Sequence, residues 1–228
     1  MAPVVALMPP ILPILPALPA APRPPFRQLT NSSLYPDVGT PLYADLPSSF
    51  NVHPFLDGET PGRDFMFSLT SEYFSPMRII DGHDVPLSPE TLAQPATYPP
   101  IYRLRIVCDE IPEWPITLEF DPDSYYEQTG TILPYVPPIS LGDALFAIHR
   151  MLQEQITYSD WARLHTTSQT EITKAYITRC KSMPTMESLL KSHGVKKVDY
   201  LLNRVWFDGL ARTGDGPEVL RLVVSRRQ

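Results

Sequence analysis

Two stretches decide the fold: IYRLRIVCDEIPEWPITLEF at residues 101–120 and ISLGDALFAIHRML at residues 139–152. In Tyr102–Cys108, apolar residues alternate with arginines, and in Ile116–Phe120 they alternate with Thr and Glu. A period of two with one polar face predicts half-buried β-strands. The connection between them contains two prolines, so we expect an antiparallel hairpin with a long loop.

The second stretch predicts an amphipathic helix over 141–152. Ser140 and Asp143 have the spacing of a capping box, and the acid also meets the positive end of the helix dipole. The apolar positions are four and three residues apart and share one face. They are Leu141, Leu145, Ile148 and Leu152.

The remaining elements extend this pattern on both sides. The predicted strands are Phe65–Leu69, Val195–Leu202, Val205–Leu210 and Val219–Ser225, and residues 80–99 are predicted to be a loop. Further helices are predicted around Trp161, from a Ser168/Glu171 cap to Cys180, and over Thr185–His193, ended by Gly194. Strands, then helices, then strands predict an α+β fold: a mostly antiparallel sheet packed against a helical segment.

Proline marks the organisation of the chain. The 28 prolines exceed ordinary usage, which indicates a tail and extended connections around a compact domain. We predict a proline-rich arm at 1–27, an extended linker at 28–51, a single α+β domain at 52–225 and a basic tail at 226–228.

Within the arm, prolines recur every third residue, the repeat of a polyproline II helix. They are Pro10, Pro13, Pro16, Pro19, Pro22 and Pro25. Pro22, Pro25 and Arg27 fit the PxxP-basic pattern of peptides that bind SH3-type grooves. On composition alone, a semi-rigid disordered arm is favoured over a docking peptide. The Ile and Leu residues between the prolines indicate that the arm packs on its own domain or on a partner.

Charge is distributed unevenly along the chain. Residues 1–173 contain 8 Lys/Arg against 20 Asp/Glu, whereas residues 174–228 contain 11 against 5. The basic residues near the C-terminus are Lys191, Lys196, Lys197, Arg204, Arg221, Arg226 and Arg227. Because the net charge is −6 and no nucleic-acid module is recognisable, pairing between the two halves is favoured over nucleic-acid binding.

The cysteines and the N-terminus bear on localisation. Cys108 and Cys180 are too few for a disulfide framework and are expected to be buried free thiols. The apolar N-terminus lacks a basic region and is interrupted by prolines, so we do not interpret it as a signal peptide. No proline-free apolar run could span a bilayer. We expect a cytoplasmic or nuclear protein with no membrane contact.

Short motifs follow one another in a fixed order between His53 and Val224. They include Pro95-Ala96-Thr97 followed by Pro99-Pro100, Trp114-Pro115-Ile116, and Gly142-Asp143-Ala144-Leu145 with Ile148 and His149. In these motifs the chain resembles a domain family of unknown function from mushroom-forming fungi. The resemblance implies the fold and brings no catalytic residues.

No catalytic set is recognisable. His149 lies at the border of the apolar helix face, and a histidine hydrogen-bonded to a loop carbonyl is favoured over a general base. Asp81-Gly82-His83-Asp84 is interpreted as a turn and not as a metal site. Trp114 either caps the core or anchors an interface, with core-capping favoured. We therefore predict no metal and no cofactor.

The leading functional hypothesis is a non-catalytic module that binds another protein, with the proline arm as a second contact. The candidate binding residues are Trp114, Pro22, Pro25, Arg27 and His149. An enzyme or small-ligand binder is the alternative, with a pocket between the sheet and helix 141–152 in which polar groups such as His149 and Asp143 converge. Weak nucleic-acid binding through the basic C-terminal region is a third hypothesis. The sequence predicts no oligomeric state.

Overall fold

The computed structural model describes residues 50–59, 64–120, 136–216 and 218–226. The strands in these residues are β1 (Asn51–Val52), β2 (Phe65–Met66), β3 (Met77–Ile80), β4 (His83–Pro86), β5 (Thr97–Tyr98), β6 (Arg103–Val107), β7 (Ile116–Glu119), β8 (Trp206–Arg212) and β9 (Val219–Ser225). The α-helices are α1 (Pro89–Leu92), α2 (Leu141–Gln153), α3 (Tyr158–Ala162), α4 (Thr166–Lys181) and α5 (Glu187–Ser192). Two 3₁₀-helices cover Pro184–Met186 and Lys197–Leu201.

The strands form three sheets. The largest has the order β7-β6-β9-β8, the second has the order β2-β3-β4, and β1 pairs with β5. Every pair of strands is antiparallel except β6 and β9, which are parallel because the helices lie between them in the chain. The predicted α+β fold with a mostly antiparallel sheet is confirmed.

The β6–β7 hairpin forms as the alternation predicts. Leu104 pairs with Leu118 and Ile106 with Ile116, and all four side chains are buried on one face. On the other face Arg103 donates to Glu119 across the strands at 2.6 Å. Tyr102, which the alternation placed on the buried face, precedes the strand and is exposed.

Helix α2 covers the buried face of this sheet. Its capping box is present: the Asp143 N–H donates to Ser140 Oγ at 3.1 Å, and the Ser140 N–H donates to Asp143 Oδ2 at 3.0 Å. The four apolar positions predicted to share a face are all buried in the main core cluster. The helix runs one residue beyond its predicted end.

Backbone from the N-terminal part of the domain covers the outer edge of β8. The Gly58 N–H donates to Leu210 O at 3.1 Å, and the Phe207 N–H donates to Phe67 O at 3.0 Å. Gly209 has φ +133°, and a Cβ there would lie 2.4 Å from the Cα of Gly58. Glycine is therefore required where the two backbones meet.

The prediction of a loop over residues 80–99 was wrong, because this segment contains β4, α1 and β5. Asp81 and Gly82 both have positive φ and form the two-residue turn between β3 and β4. This is the Asp-Gly hairpin turn, whose twist matches that of the strands. Ser88 caps α1 and Pro89 occupies its first turn.

Two predictions in the C-terminal half were also wrong. The predicted strand Val195–Leu202 contains the 3₁₀-helix Lys197–Leu201, whose three-residue repeat buries Val198 and Leu201 together. Helix α4 begins at Thr166, two residues before the predicted Ser168 cap, and its N-cap residue makes no side-chain cap bond. Gly194, with φ +68°, follows α5 as predicted.

Candidate binding surface

Trp114 lies half-buried at the start of β7 and packs against the core. Its backbone N–H donates to Ile111 O at 3.2 Å, which fixes the chain just before Pro115. Its indole N–H makes no hydrogen bond to any residue that the structure describes. Part of the ring therefore caps the core.

Two residues from the 3₁₀-helix Lys197–Leu201 hold the ring in place. Tyr200 meets it edge-on with ring centroids 4.9 Å apart, and Lys197 Nζ lies 5.2 Å from the centroid of the indole. Lys197 also bonds Glu154 Oε2 at 2.7 Å. Because side chains three residues apart eclipse in a 3₁₀-helix, Lys197 and Tyr200 reach Trp114 from the same side. We call Trp114, Lys197 and Tyr200 the Trp114 surface.

Acidic side chains lie beside this surface. Burial, together with the negative charges of Asp160 and Glu113, raises the pKa of Tyr200 to about 12. Asp160 caps α3 by accepting from the Thr157 N–H and hydroxyl at 3.0 and 2.6 Å. Glu113 is exposed and forms no ion pair with a described residue. The Tyr200 hydroxyl is buried and has no partner within the described part of the chain.

His149 lies in the core and away from Trp114. Its Nε2–H donates to the carbonyl of Ser71 at 2.8 Å, and its ring contacts Phe67 and Phe74. Burial lowers its pKa below the ordinary histidine value, so the neutral ring is the stable form. The predicted hydrogen bond to a loop carbonyl is confirmed.

His149 and Asp143 were the groups expected to converge in a pocket between sheet and helix. Asp143 is held at the first turn of α2 by Ser140, whereas His149 lies six residues further along and points to Ser71. The structure does not bring these two side chains together at one point.

The sequence analysis missed a buried ion pair next to α4. Arg179 donates from Nε and Nη2 to the two carboxylate oxygens of Asp199, both at 2.8 Å, and both side chains are 2% exposed. Burial by itself lowers the pKa of Arg179, but the hydrogen bond and charge of Asp199 raise it above its ordinary value. The Lys196 N–H also donates to Asp199 at 2.9 Å. The pair ties α4 to the 3₁₀-helix that carries Tyr200.

Lys196 forms a second buried polar contact that the sequence analysis missed. Its ammonium donates to Glu72 Oε1 at 2.7 Å and to Gln153 Oε1 at 2.9 Å. Gln153 in turn donates to the carbonyl of Leu69 at 2.8 Å. The partners are separated by up to 124 residues, so no local pattern in the sequence indicates them.

The basic residues near the C-terminus are largely paired within the fold. Four ion pairs join them to acidic residues before residue 174: Lys196–Glu72, Lys197–Glu154, Arg204–Glu110 and Arg221–Asp109. The expectation that the two halves pair with each other is confirmed.

Other candidates lie elsewhere. Asp81 and Gly82 form a hairpin turn, as predicted, and no group of three His, Cys, Asp or Glu among the described residues is placed to hold a metal ion. Pro22, Pro25 and Arg27 lie outside the described residues. No described helix is both long and apolar enough to cross a membrane.

A protein-family model described as a family of unknown function, DUF6699, matches residues 69–216. The match covers the α2 helix, the Trp114 surface and the buried pair Arg179–Asp199. The chain belongs to this family. The matched residues lie inside the range from His53 to Val224 over which the motifs were recognised. No curated protein and no solved structure matches the chain.

Proposed function

We propose that this chain is a non-catalytic protein-interaction module whose binding residues centre on Trp114, with the proline arm as a second contact. The observation that carries the proposal is the contrast between Trp114 and the polar candidates. His149, Asp143 and the Arg179–Asp199 pair are engaged in bonds that hold the fold together. Trp114 has a half-buried ring whose indole N–H forms no hydrogen bond with a described residue.

The chemistry of the Trp114 surface suits an interface. Tryptophan and tyrosine supply large contact areas at low conformational cost, and they dominate binding energies at interfaces. Tyr200 and Lys197 fix the Trp114 ring before any partner arrives, so little rotamer freedom remains to be lost on binding.

Affinity capture from native extract with tagged full-length protein tests this proposal. Replacing an interface hot-spot residue by Ala costs about 2 kcal/mol or more, which is about 30-fold in Kd. We therefore expect Trp114→Ala to deplete at least one partner that the unchanged protein recovers. Phe146→Ala is the control, because Phe146 is an aromatic residue on the exposed side of α2 that contacts Phe74 and is not part of the Trp114 surface.

Two further variants separate binding from folding. Glu113→Lys changes an exposed side chain beside Trp114 and leaves the core packing untouched, so its effect does not depend on stability. The combined variant Pro22→Ala/Pro25→Ala/Arg27→Ala tests the arm. Identical partner lists for the unchanged protein, Trp114→Ala and Glu113→Lys would refute the role of this surface. Identical lists for the arm variant would refute the role of the arm.

A further inference from the structure

The Trp114 surface has the features that recognise a polyproline II segment. Such a segment has no internal hydrogen bonds, so its backbone carbonyls need donors, and its prolines pack on aromatic rings. The Trp114 indole N–H has no partner within the part of the chain that the structure describes, and Tyr200 meets its ring edge-on. Pro112 and Pro115 flank Trp114 in the chain and extend the apolar contact area.

The chain itself contains a sequence with the proline spacing of such a segment. Prolines recur at every third position from Pro10 to Pro25, and the segment ends in Arg23 and Arg27. Its basic end complements the acidic side of the Trp114 surface, where Glu113 is exposed and without an ion-pair partner among the described residues. Asp160 adds a second carboxylate close to Tyr200.

The arm is long enough to reach the Trp114 surface from its own domain. Residues 28–49 separate Arg27 from Phe50, the first described residue. A chain of this length spans up to about 70 Å when extended, whereas a domain of this size is about 40 Å across. Linkage on this scale gives an effective concentration on the order of millimolar, so even weak contacts are populated.

We propose that residues 10–27 bind the Trp114 surface of their own domain and cover it until a partner displaces them. This inference rests on the proposed function, since it names the class of segment that the surface binds. Tyr98 and Tyr102 are two other exposed aromatic residues, 73% and 54% exposed. Arg105 is exposed three residues after Tyr102 and forms no ion pair with a described residue, so this cation disfavours the basic end of the arm there.

Paramagnetic NMR on the full-length protein tests this assignment. A nitroxide is attached to Ala20→Cys, between Pro19 and Pro22. Cys108 and Cys180 are buried, and burial raises the pKa of Cys108 to about 12, so the native thiols react slowly. We expect loss of most of the signal intensity at the Trp114 indole N–H and at the amides of Glu113 and Tyr200.

Two arm variants with the same tag provide matched controls that leave the domain unchanged. Replacing the basic end, with Pro22→Ala/Pro25→Ala and Arg23→Glu/Arg27→Glu, should restore the intensities. Replacing two prolines that precede residues 10–27, with Pro3→Ala/Pro9→Ala, should preserve most of the broadening. Equal effects of the two variants would contradict docking through the basic end.

A mixed sample distinguishes the other occupants. Tagged protein without isotope label is added to ¹⁵N-labelled protein without a tag, and we expect no selective broadening. Selective broadening in this sample would show that a second copy supplies the arm, and would overturn the proposal. Broadening around Tyr98 and Tyr102, or none at Trp114, would overturn it as well. Either failure leaves the effect of Trp114→Ala on partner capture intact, so the two proposals fail separately.

Discussion

Removing one member of the buried pair Arg179–Asp199 should strongly destabilise the domain. In Asp199→Ala, the guanidinium of Arg179 loses two hydrogen bonds of 2.8 Å, and the N–H of Lys196 loses its acceptor. The guanidinium is then buried and left with the carbonyl of Gly194 at 3.1 Å as its remaining partner among the described residues. An uncompensated buried charge is the costly part of this change.

We expect a loss of about 3–5 kcal/mol in the free energy of unfolding. Total stabilities are about 5–15 kcal/mol, so this is a large fraction of what holds the fold together. For a domain of this size the loss lowers the melting temperature by roughly 6–20 °C. Urea unfolding followed by circular dichroism measures the free energy directly.

Three variants identify the physical cause. Asp64→Ala breaks the exposed pair Arg78–Asp64, whose side chains are 48% and 42% exposed, and should cost at most about 1 kcal/mol. Arg179→Met/Asp199→Leu removes both charges and should be more stable than Asp199→Ala. If Asp199→Ala costs no more than Asp64→Ala, or if the double variant is the least stable of the three, the reasoning is refuted.

Three further predictions follow from single contacts. Burial lowers the folded-state pKa of His149, so below about pH 6.5 the unfolded chain binds more protons than the folded chain and stability falls as the pH is lowered. His149→Phe should flatten this pH dependence of stability, measured as urea midpoints from acid to neutral pH. Ser140→Ala should cost about 1 kcal/mol in urea unfolding, and Ser140→Thr should preserve most of the cap. Gly209→Ala should prevent folding because its Cβ would meet the backbone of Gly58. Gly214→Ala, whose Cβ would have no atom within 4 Å, should cost only about 1 kcal/mol. Similar circular dichroism spectra and urea midpoints for the two variants would contradict this prediction.

The elements that the sequence predicted well are those with a repeating pattern. The alternation in 103–107 and 116–119 and the capped apolar face of α2 gave the correct elements with errors of one or two residues. Short elements were missed in 80–99, where β4, α1 and β5 have only two to four residues each. Segments this short contain only one or two periods of their repeat, so tertiary pairing decides their conformation.

The candidate site was only partly predictable. Trp114 and the hydrogen bond of His149 to a loop carbonyl were inferred from their positions next to apolar runs. The contacts of Tyr200 and Lys197 with Trp114 were not predicted, because the predicted strand would have placed these two residues on opposite faces. A spacing of three residues could have indicated the 3₁₀-helix, because it separates Lys197 from Tyr200 and Val198 from Leu201.

The sequence by itself determined the local order of this protein: the capped helix, the hairpin beside it, and the period-three arm. These depend on neighbours within a few residues, where backbone geometry translates spacing into shape. Tertiary structure alone decided that Arg179 meets Asp199, that Lys196 meets Glu72, and that Tyr200 braces Trp114. Such contacts join residues 20 to 124 positions apart. A buried polar group needs a hydrogen-bond or charge partner, and in these contacts the partner lies too far along the chain for local spacing to indicate it.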